Sequence, residues 1–526
     1  MSRVSNRVMN LAHFLRQAAR RYPDNAALVR GERQWSWAEL DRRVDATAAM
    51  MAARGIGKGD RVLVQARNCH QLIETMFACF RLGAIWVPTN VRQTPQEVAW
   101  LAQSSGATLM FCEAIFADHA AACEISDTIM IGGGGPDDYD ALVAAALDGA
   151  TVDTAVDYDD PCWFFYTSGT TGRPKAAVLT HGQMAFVILN HLCDLMPGTS
   201  EDDASLVVAP LTHGAGVHFL TQVARAAKTV LPAADRFDAA EIWGLIERWR
   251  VTNIFTVPTI LKLMTEHPSV ASHDHGSLRH VIYAGAPMYR EDQKHALATL
   301  GPVLVQYFGL GEVTGAITVL RPRDHHAGDG PGVKLGTCGR ERTGMQISIQ
   351  DDAGSLLPAG ATGEICVCGP AVFAGYHDNP EANAKSFRDG WFRTGDLGRL
   401  DADGDLFITG RASDMYISGG SNVYPREIEE KILQHPAITE VAIVGMPDPV
   451  WGETGLAACV LKPGQTLTAE DLLDWLKPRI ASYKLPRRVL FWDSLPKSGY
   501  GKVTKAAVKA AVLEQDDAPS LLSAQN

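Results

Sequence analysis

A segment rich in small and hydroxylated residues, Tyr166–Lys175, carries the side chains best suited to holding phosphate. It follows the apolar run Cys162–Phe165 and precedes a second one, Ala176–Leu179. Glycines let backbone N–H groups approach phosphate oxygens closely, hydroxyls add further donors, and a lysine adds a positive charge. The predicted phosphate-binding residues are Thr167, Ser168, Gly169, Thr170, Thr171, Gly172 and Lys175.

Single motifs of this kind also have simpler explanations. The spacing of Tyr166–Lys175 is not that of the Walker A loop, and composition alone favours an ordinary Ser/Thr/Gly hairpin. In the same way, Asp396 in a glycine-rich turn is usually a turn residue, and Lys502 in a glycine-rich loop is usually solvated. Only several motifs in a consistent order would favour a functional interpretation.

The elements that must position these residues alternate between strand and helix patterns. Arg61–Gln65 and Asn253–Val257 have the apolar pattern of strands, whereas His70–Arg81 has helical spacing. This alternation predicts an α/β fold with a large, multi-subdomain N-terminal domain. Shorter β-rich pieces follow from Gly336, and a smaller α+β domain begins near Ala412. The predicted domains are therefore 1–411 and 412–526.

Composition excludes several classes of protein. The 526 residues carry 48 basic and 60 acidic side chains, a net charge of −12, which argues against binding nucleic acid or anionic lipid over the whole surface. No apolar run approaches the 18 residues of a membrane span. The 10 cysteines are dispersed, and Cys366 and Cys368 alternate in a strand pattern that favours a buried core over a metal site. Reduced thiols and a cytoplasmic location are expected.

Further motifs stand in a fixed order along most of the chain. Together with Tyr166–Lys175 they resemble the motifs of the adenylate-forming superfamily, which includes acyl-CoA synthetases, firefly-type luciferases and nonribosomal peptide adenylation domains. The segment Ser418–Pro425 is more similar to bacterial acyl-CoA synthetases than to peptide synthetases. The further motifs are Ala284–Pro287, Phe308–Glu312, Gly390–Asp396, Ile408–Arg411 and Pro496–Lys502.

The resemblance implies a set of nucleotide contacts. The glutamate and a loop threonine would hold Mg²⁺, an aromatic ring would pack on the base, and the aspartate and arginine would contact the ribose and phosphates. Phe308 stands where the family has Tyr, and Gly311 stands where it has Thr, so a hydroxyl contact is lost at each position. The implied residues are Gly285, Ala286, Pro287, Phe308, Gly309, Asp396 and Arg411 for the nucleotide, with Thr171 and Glu312 for the metal.

The resemblance also implies the reacting groups. Lys502 would bridge the substrate carboxylate and the α-phosphate, and His213 would lie near the acyl pocket, although a core histidine is an equal alternative. Gly419 and Gly420 would let a pantetheine arm pass close to the backbone. Ser413 falls at the hinge about which the smaller, mobile domain would rotate between the two half-reactions.

The function implied is that of an ATP-dependent carboxylic acid–CoA ligase. It would form an acyl-adenylate with release of pyrophosphate and then an acyl-CoA thioester with release of AMP, using ATP, Mg²⁺ and coenzyme A. The alternatives are an adenylation enzyme that loads an acyl carrier protein, a luciferase-like oxygenase and a catalytically silent binding protein. The expected partner is a small carboxylic acid with an uncharged aliphatic or aromatic tail, with no nucleic acid or membrane span, and a homodimer is left open.

Overall fold

The chain forms two compact units. The computed structural model describes residues 8–149, 153–167, 173–234, 236–286, 288–418, 421–497 and 503–517. The larger unit comprises Met1–Ser348, Cys366–Thr394 and Asp403–Leu406, and the smaller unit comprises Ile349–Ile365, Gly395–Ala402 and Phe407–Asn526. Each unit has its own sheet structure and its own hydrophobic core.

Helices and strands alternate along the first third of the described chain. The elements are α1 (His13–Arg21), β1 (Ala26–Arg30), β2 (Arg33–Ser36), α2 (Trp37–Ala53), β3 (Arg61–Gln65), α3 (His70–Leu82), β4 (Ile85–Pro88), α4 (Pro95–Ser105), β5 (Leu109–Glu113), α5 (Ala117–Ala122), β6 (Asp127–Ile131), α6 (Tyr139–Ala145), β7 (Pro161–Thr167), β8 (Lys175–Thr180) and α7 (His181–Asp194).

The alternation continues to about residue 320, after which strands dominate until α13. The elements are β9 (Ala204–Val207), α8 (Gly214–Arg225), β10 (Lys228–Leu231), α9 (Ala239–Trp249), β11 (Asn253–Thr256), α10 (Pro258–Glu266), β12 (His280–Tyr283), α11 (Arg290–Leu300), β13 (Leu304–Phe308), β14 (Thr318–Leu320), β15 (Arg340–Glu341), β16 (Gln346–Gln350), β17 (Gly363–Cys368), α12 (Pro380–Ser386), β18 (Phe387–Arg388), β19 (Trp391–Leu400), β20 (Leu406–Arg411), β21 (Tyr416–Ser418), β22 (Ser421–Val423), α13 (Pro425–Ile432), β23 (Ile438–Asp448), β24 (Gly452–Leu461), α14 (Ala469–Leu476), β25 (Arg488–Phe491) and α15 (Lys505–Asp517).

Two sheets organise the larger unit. One has the order β6-β5-β3-β4-β7-β8, with parallel pairs except for the antiparallel hairpin β7-β8. The other has the order β15-β14-β13-β12-β11-β9-β10-β1-β2, with parallel pairs from β1 through β10, β9, β11 and β12 to β13. Because parallel strands end at the same edge, the segments that follow β11, β12 and β13 emerge side by side.

Local sequence signals explain where the helices begin and end. Thr94 and Thr180 each form a reciprocal capping box with the residue three positions later, at the starts of α4 and α7. Gly83 ends α3 in the left-handed conformation that favours glycine, with φ of 66°. Such caps satisfy backbone groups that the helix itself leaves unpaired, which fixes the boundaries that the apolar periodicity only approximates.

The smaller unit contains a sheet of order β22-β21-β24-β23, and β25 adds to β24 in parallel. Its core includes Ile428 on α13, Ile443 on β23 and Leu472 on α14. In the described part of the chain, no helix combines the length and the apolar character needed to span a membrane. The predicted α/β fold with a larger N-terminal part and a smaller C-terminal part is confirmed, whereas the boundary at residue 411 stays a prediction.

Candidate active site

The phosphate-binding segment predicted from the sequence begins and ends on a hairpin. Thr167 is the last residue of β7 and Lys175 is the first of β8, and the two are directly opposite in the antiparallel register. The predicted residues Ser168, Gly169, Thr170, Thr171 and Gly172 lie outside the described residues. The hairpin therefore brings one hydroxyl and one ammonium group of the predicted set close together in the fold.

The predicted metal-binding carboxylate, Glu312, is buried and held by two hydroxyl groups. Only 6% of the residue is exposed. Its Oε1 accepts hydrogen bonds from Thr167 Oγ1 at 2.8 Å and from Tyr376 Oη at 2.9 Å. Its Oε2 accepts no hydrogen bond from any residue that the structure describes. Oε1 thus fixes the orientation of the carboxylate, and Oε2 is the oxygen available to a cation.

Tyr376 was not predicted from the sequence, yet it connects two predicted residues. Its hydroxyl donates to Glu312, while Lys175 Nζ lies over its ring at 5.4 Å from the centroid. Burial and the neighbouring Glu312 carboxylate raise the pKa of Tyr376 well above its usual value, so the hydroxyl keeps the proton that it donates. The only sequence signal was an aromatic residue in a polar turn, between Gly375 and Asn379, and that signal is weak.

The glycines of the Phe308–Glu312 segment are required by close packing. A Cβ atom on Gly309 would lie 2.4 Å from Gly315 Cα, and one on Gly311 would lie 2.6 Å from Phe165 Cε1. Gly311 is one of the departures from the family motif, and the ring of Phe165 lies where a larger residue at 311 would need space. A threonine at 311 would therefore clash with the ring at 165.

His213, predicted near the acyl pocket, is the residue immediately before α8. Its Nδ1 lies 2.9 Å from Thr212 Oγ1, and its ring meets Phe165 edge to face at 5.5 Å. The residue is half-buried. Phe165 thus contacts both the predicted acyl-pocket histidine and the segment that carries Glu312, although its apolar strand pattern gave no sign of this position.

The predicted adenine-binding segment follows the carboxyl end of β12. Gly285 has φ of 83°, a backbone conformation that favours glycine, and both Gly285 and Ala286 are exposed. Pro287 lies outside the described residues. Phe308 ends the neighbouring strand β13 and is half-buried. The carboxyl ends of β12 and β13 therefore carry the predicted base-contacting residues that the structure describes, Gly285, Ala286 and Phe308.

In the smaller unit, the two predicted ribose ligands form an ion pair. Arg411 Nε lies 3.1 Å from Asp396 Oδ1. The carboxylate is buried, whereas about half of the arginine side chain, 53%, is exposed. Ser413, the predicted hinge residue, is exposed and donates to Asp414 Oδ1 at 3.2 Å. Gly419, Gly420 and Lys502 lie outside the described residues.

Family models match both parts of the chain. Residues 15–377 match the AMP-binding enzyme family, and residues 427–502 match the AMP-binding enzyme C-terminal domain. The chain belongs to the AMP-binding enzymes. The predicted resemblance to the adenylate-forming superfamily is thereby confirmed, and so is the prediction that the protein is an enzyme.

Curated relatives named as acid–CoA or acid–carrier-protein ligases resemble this chain over nearly their full length. A feruloyl-CoA synthase from Amycolatopsis is 36% identical over 493 residues, covering 93% of this chain and 96% of the relative. An indoleacetate–CoA ligase from Aromatoleum aromaticum is 35% identical, covering 96% and 98%. A fatty acid–acyl-carrier-protein ligase from Streptomyces coeruleorubidus is 33% identical, covering 93% and 94%.

A solved structure extends the similarity to the fold. The o-succinylbenzoate–CoA synthetase of Bacillus subtilis, in complex with its acyl-adenylate intermediate, superposes with a TM-score of 0.82. The two chains are 29% identical, and the match covers 94% of this chain and 97% of the other.

The residues present fit the Mg²⁺ ion that AMP-binding enzymes use with ATP. Among the described residues, no three His, Cys, Asp or Glu side chains cluster as a metal site. Mg²⁺ at nucleotide sites is commonly held by one or two carboxylates together with substrate phosphates, so a dedicated cage is not needed. Glu312, with Oε1 occupied by two donors and Oε2 accepting none from described residues, suits such a site.

Proposed function

We propose that this AMP-binding enzyme is an ATP-dependent carboxylic acid–CoA ligase. It forms an acyl-adenylate with release of pyrophosphate and then an acyl-CoA thioester with release of AMP. The relatives, which include acid–CoA ligases and a structure with an acyl-adenylate, confirm this sequence-based prediction and its use of ATP, Mg²⁺ and coenzyme A. The observation in this chain that carries the proposal is the oriented Glu312 carboxylate beside the end of the phosphate-binding segment.

The larger unit supplies the groups that handle the triphosphate. Lys175 and the segment from Thr167 bind the β- and γ-phosphates, and Phe308 packs on the base beside Gly309, Gly285, Ala286 and Pro287. Glu312, with Thr171, would hold Mg²⁺, and the ion would supply positive charge to neutralise the pyrophosphate leaving group. A carboxylate that attacks a phosphate must overcome repulsion between two anions, so positioning and charge neutralisation provide most of the catalysis.

The smaller unit supplies the remaining groups. Asp396 accepts hydrogen bonds from the ribose hydroxyls, and the exposed guanidinium of Arg411 donates to the ribose and phosphate region. Lys502 bridges the substrate carboxylate and the α-phosphate in the first half-reaction. Gly419 and Gly420 let the pantetheine arm pass close to the backbone in the second half-reaction. The domain that carries these last residues begins at residue 412 and rotates about Ser413 between the half-reactions.

The carboxylic acid itself binds near His213, at the start of α8. His213 is proposed to contact the acyl group, because its ring packs edge to face on Phe165, whose ring lies beside Gly311 in the segment that carries Glu312. We place the enzyme in the cytoplasm, since the described cysteines are all free and reduced thiols are usual there. A homodimer is proposed as its assembly.

A second candidate is transfer of the acyl group to a carrier protein, which the 33% identical carrier-protein ligase favours. It is weaker, because the relatives of highest identity given above are CoA ligases. A single assay separates the two. Purified enzyme, ATP, Mg²⁺ and a carboxylic acid should release AMP rapidly when coenzyme A is added without any protein partner. Release that requires a loaded carrier protein would instead establish the alternative.

The decisive experiment is a screen for pyrophosphate release over a panel of aromatic and aliphatic carboxylic acids. Each active acid is then tested for CoA-dependent release of AMP and for the acyl-CoA product by mass spectrometry. A panel that gives neither pyrophosphate nor thioester would overturn the proposed function.

A further inference from the structure

A row of polar residues crosses the nine-stranded sheet under α8. Thr229 on β10, Ser205 on β9 and Asn253 on β11 are partners in register on adjacent parallel strands. Each is 1% exposed. The next residue on each strand, respectively Val230, Leu206 and Ile254, belongs to a hydrophobic core cluster. One face of the sheet is therefore apolar, as expected for a buried sheet, and the other carries three buried hydrogen-bonding side chains.

The helix above this row also presents polar side chains. His218 is 4% exposed, and its Nε2 lies 2.8 Å from Asn253 Oδ1 and 3.1 Å from Ser205 Oγ. Nε2 also lies 3.3 Å from the amide nitrogen of Gln222, but the shorter contact is with an amide oxygen, which can only accept, and it places the proton on Nε2 and leaves Nδ1 with a lone pair. Burial lowers the pKa of His218 to about 4, so the ring is neutral at physiological pH.

Two atoms in this region lack partners. His218 Nδ1 and Thr229 Oγ1 are buried and form no hydrogen bond with any residue that the structure describes. Both residues line a small cavity, together with Ala215, Gln222 and Phe255. Unpaired buried polar atoms are costly, and a natural core retains them where a ligand or a water completes the set. A single hydroxyl group in the cavity could satisfy both atoms, because it could donate to His218 Nδ1 and accept from Thr229 Oγ1.

The cavity borders the proposed acyl site. Phe255, which lines it, stacks on Tyr307 with ring centroids 6.0 Å apart, and its Cζ lies 2.7 Å from the Cβ position of Gly214. Tyr307 directly precedes Phe308, and Gly214 directly follows His213. Phe255 thus contacts both the cavity and the neighbours of the residues proposed to surround the acid. No Asp, Glu, Lys or Arg is among the described residues that line the cavity.

We propose that this cavity recognises an uncharged hydroxyl group at the far end of the carboxylic acid, which donates to His218 Nδ1 and accepts from Thr229 Oγ1. The inference rests on the proposed function and deepens it, because it narrows the substrate to acids with a distal hydroxyl. The cavity has room for a group about the size of one water molecule, which suits a hydroxyl and excludes a second carboxylate.

The test compares acids that differ only in the distal hydroxyl. The first pair is 3-phenylpropenoic acid and its 4-hydroxy derivative, and the second is decanoic acid and 10-hydroxydecanoic acid. In the pair whose length fits, kcat/KM for pyrophosphate release should be at least about tenfold higher for the hydroxylated acid, since the other leaves buried polar atoms unpaired. Thr229→Val and His218→Leu should each bring that ratio close to one.

A matched control separates recognition from general damage. Thr265→Val removes another buried hydroxyl, which bonds within α10, and should leave the ratio unchanged. Thr229→Val should also raise the melting temperature, because it replaces an unpaired hydroxyl with a methyl group. A wild-type enzyme with no preference in either pair, or a preference that persists in both folded variants, would overturn the inference and assign the cavity to a structural water. Failure of every acid in the full panel would instead overturn the proposed function.

Discussion

Replacing Gly311 by the threonine that the family motif carries should damage this enzyme rather than improve it. The Cβ atom would lie 2.6 Å and 2.7 Å from Phe165 ring carbons and 2.9 Å from Thr167 Cγ2. The ring cannot move aside easily, because it also packs against Trp163 and His213 with centroids 5.6 Å and 5.5 Å away. Overpacking of this kind costs about 1–3 kcal/mol.

The cost should appear in the first half-reaction. Gly311 begins the short turn that carries Glu312, and Thr167, one of the clashing residues, donates to the Glu312 carboxylate. A shift of either residue disturbs the oriented carboxylate. If the whole cost is felt in the transition state, kcat/KM for acid-dependent ATP–pyrophosphate exchange falls by about 5- to 150-fold. Gly330→Thr is the matched control, because no atom lies within 4 Å of the Cβ position there.

A second substitution tests the cause. Phe165→Ala makes room for the new side chain, so the double variant Gly311→Thr/Phe165→Ala should recover most of the exchange activity. The coupling energy between the two sites should then be at least about 1 kcal/mol. If Gly311→Thr alone raises the activity, the restored hydroxyl matters more than the space, and the steric reasoning is refuted. Equal losses with and without Phe165 would refute it as well.

Three further perturbations have defined outcomes. Tyr376→Phe removes a hydrogen bond to a carboxylate worth about 1.5–3 kcal/mol, so pyrophosphate release should fall by about 10- to 150-fold and require more Mg²⁺ in a metal titration. Lys502→Ala should cripple adenylation while thioester formation from supplied acyl-adenylate stays largely intact, and equal loss of both would contradict its role. Acid should destabilise the fold: the pKa of His218 is about 4 when folded and about 6.5 when unfolded. The unfolded chain therefore binds more protons in that window, and stability falls as pH drops through it. In urea denaturation, His218→Leu should make the free energy of unfolding less dependent on pH within that window. An unchanged pH dependence would show that other groups bind these protons.

The sequence predicts site residues well where a motif directly follows a strand with a clear apolar pattern. The strands before Ala284 and Phe308 have clear apolar patterns, so the motifs that follow them could be placed at strand ends. The positions that the sequence missed depend on distant contacts. Tyr376 meets Glu312 across 64 residues, and nothing in its own segment indicates that contact. Phe165 belongs to an apolar run, and such a run by itself does not indicate a position beside the site.

The polar row under α8 could not be predicted for a different reason. Thr229, Ser205 and Asn253 lie at or next to the start of three short strands, where a polar residue is common and carries no signal by itself. Only the order and register of the sheet bring them into one line, and only the direction of α8 places His218 over that line. Register is a property of the assembled sheet, so no pattern within one strand contains it.

The contacts of Tyr376 explain how opposite charges can work side by side. Lys175 forms no ion pair with Glu312 in the described part of the chain, although Tyr376 contacts both. A direct pair would satisfy each charge with the other and leave less for the phosphates and the metal. A cation over an aromatic face is held by only about 0.5–2 kcal/mol, and a neutral hydroxyl orients a carboxylate without cancelling its charge. A tyrosine between them therefore fixes both side chains and keeps both charges available. The chain has a net charge of −12 and its substrates are also anionic. Separating Lys175 from Glu312 therefore leaves the lysine charge available to attract phosphate.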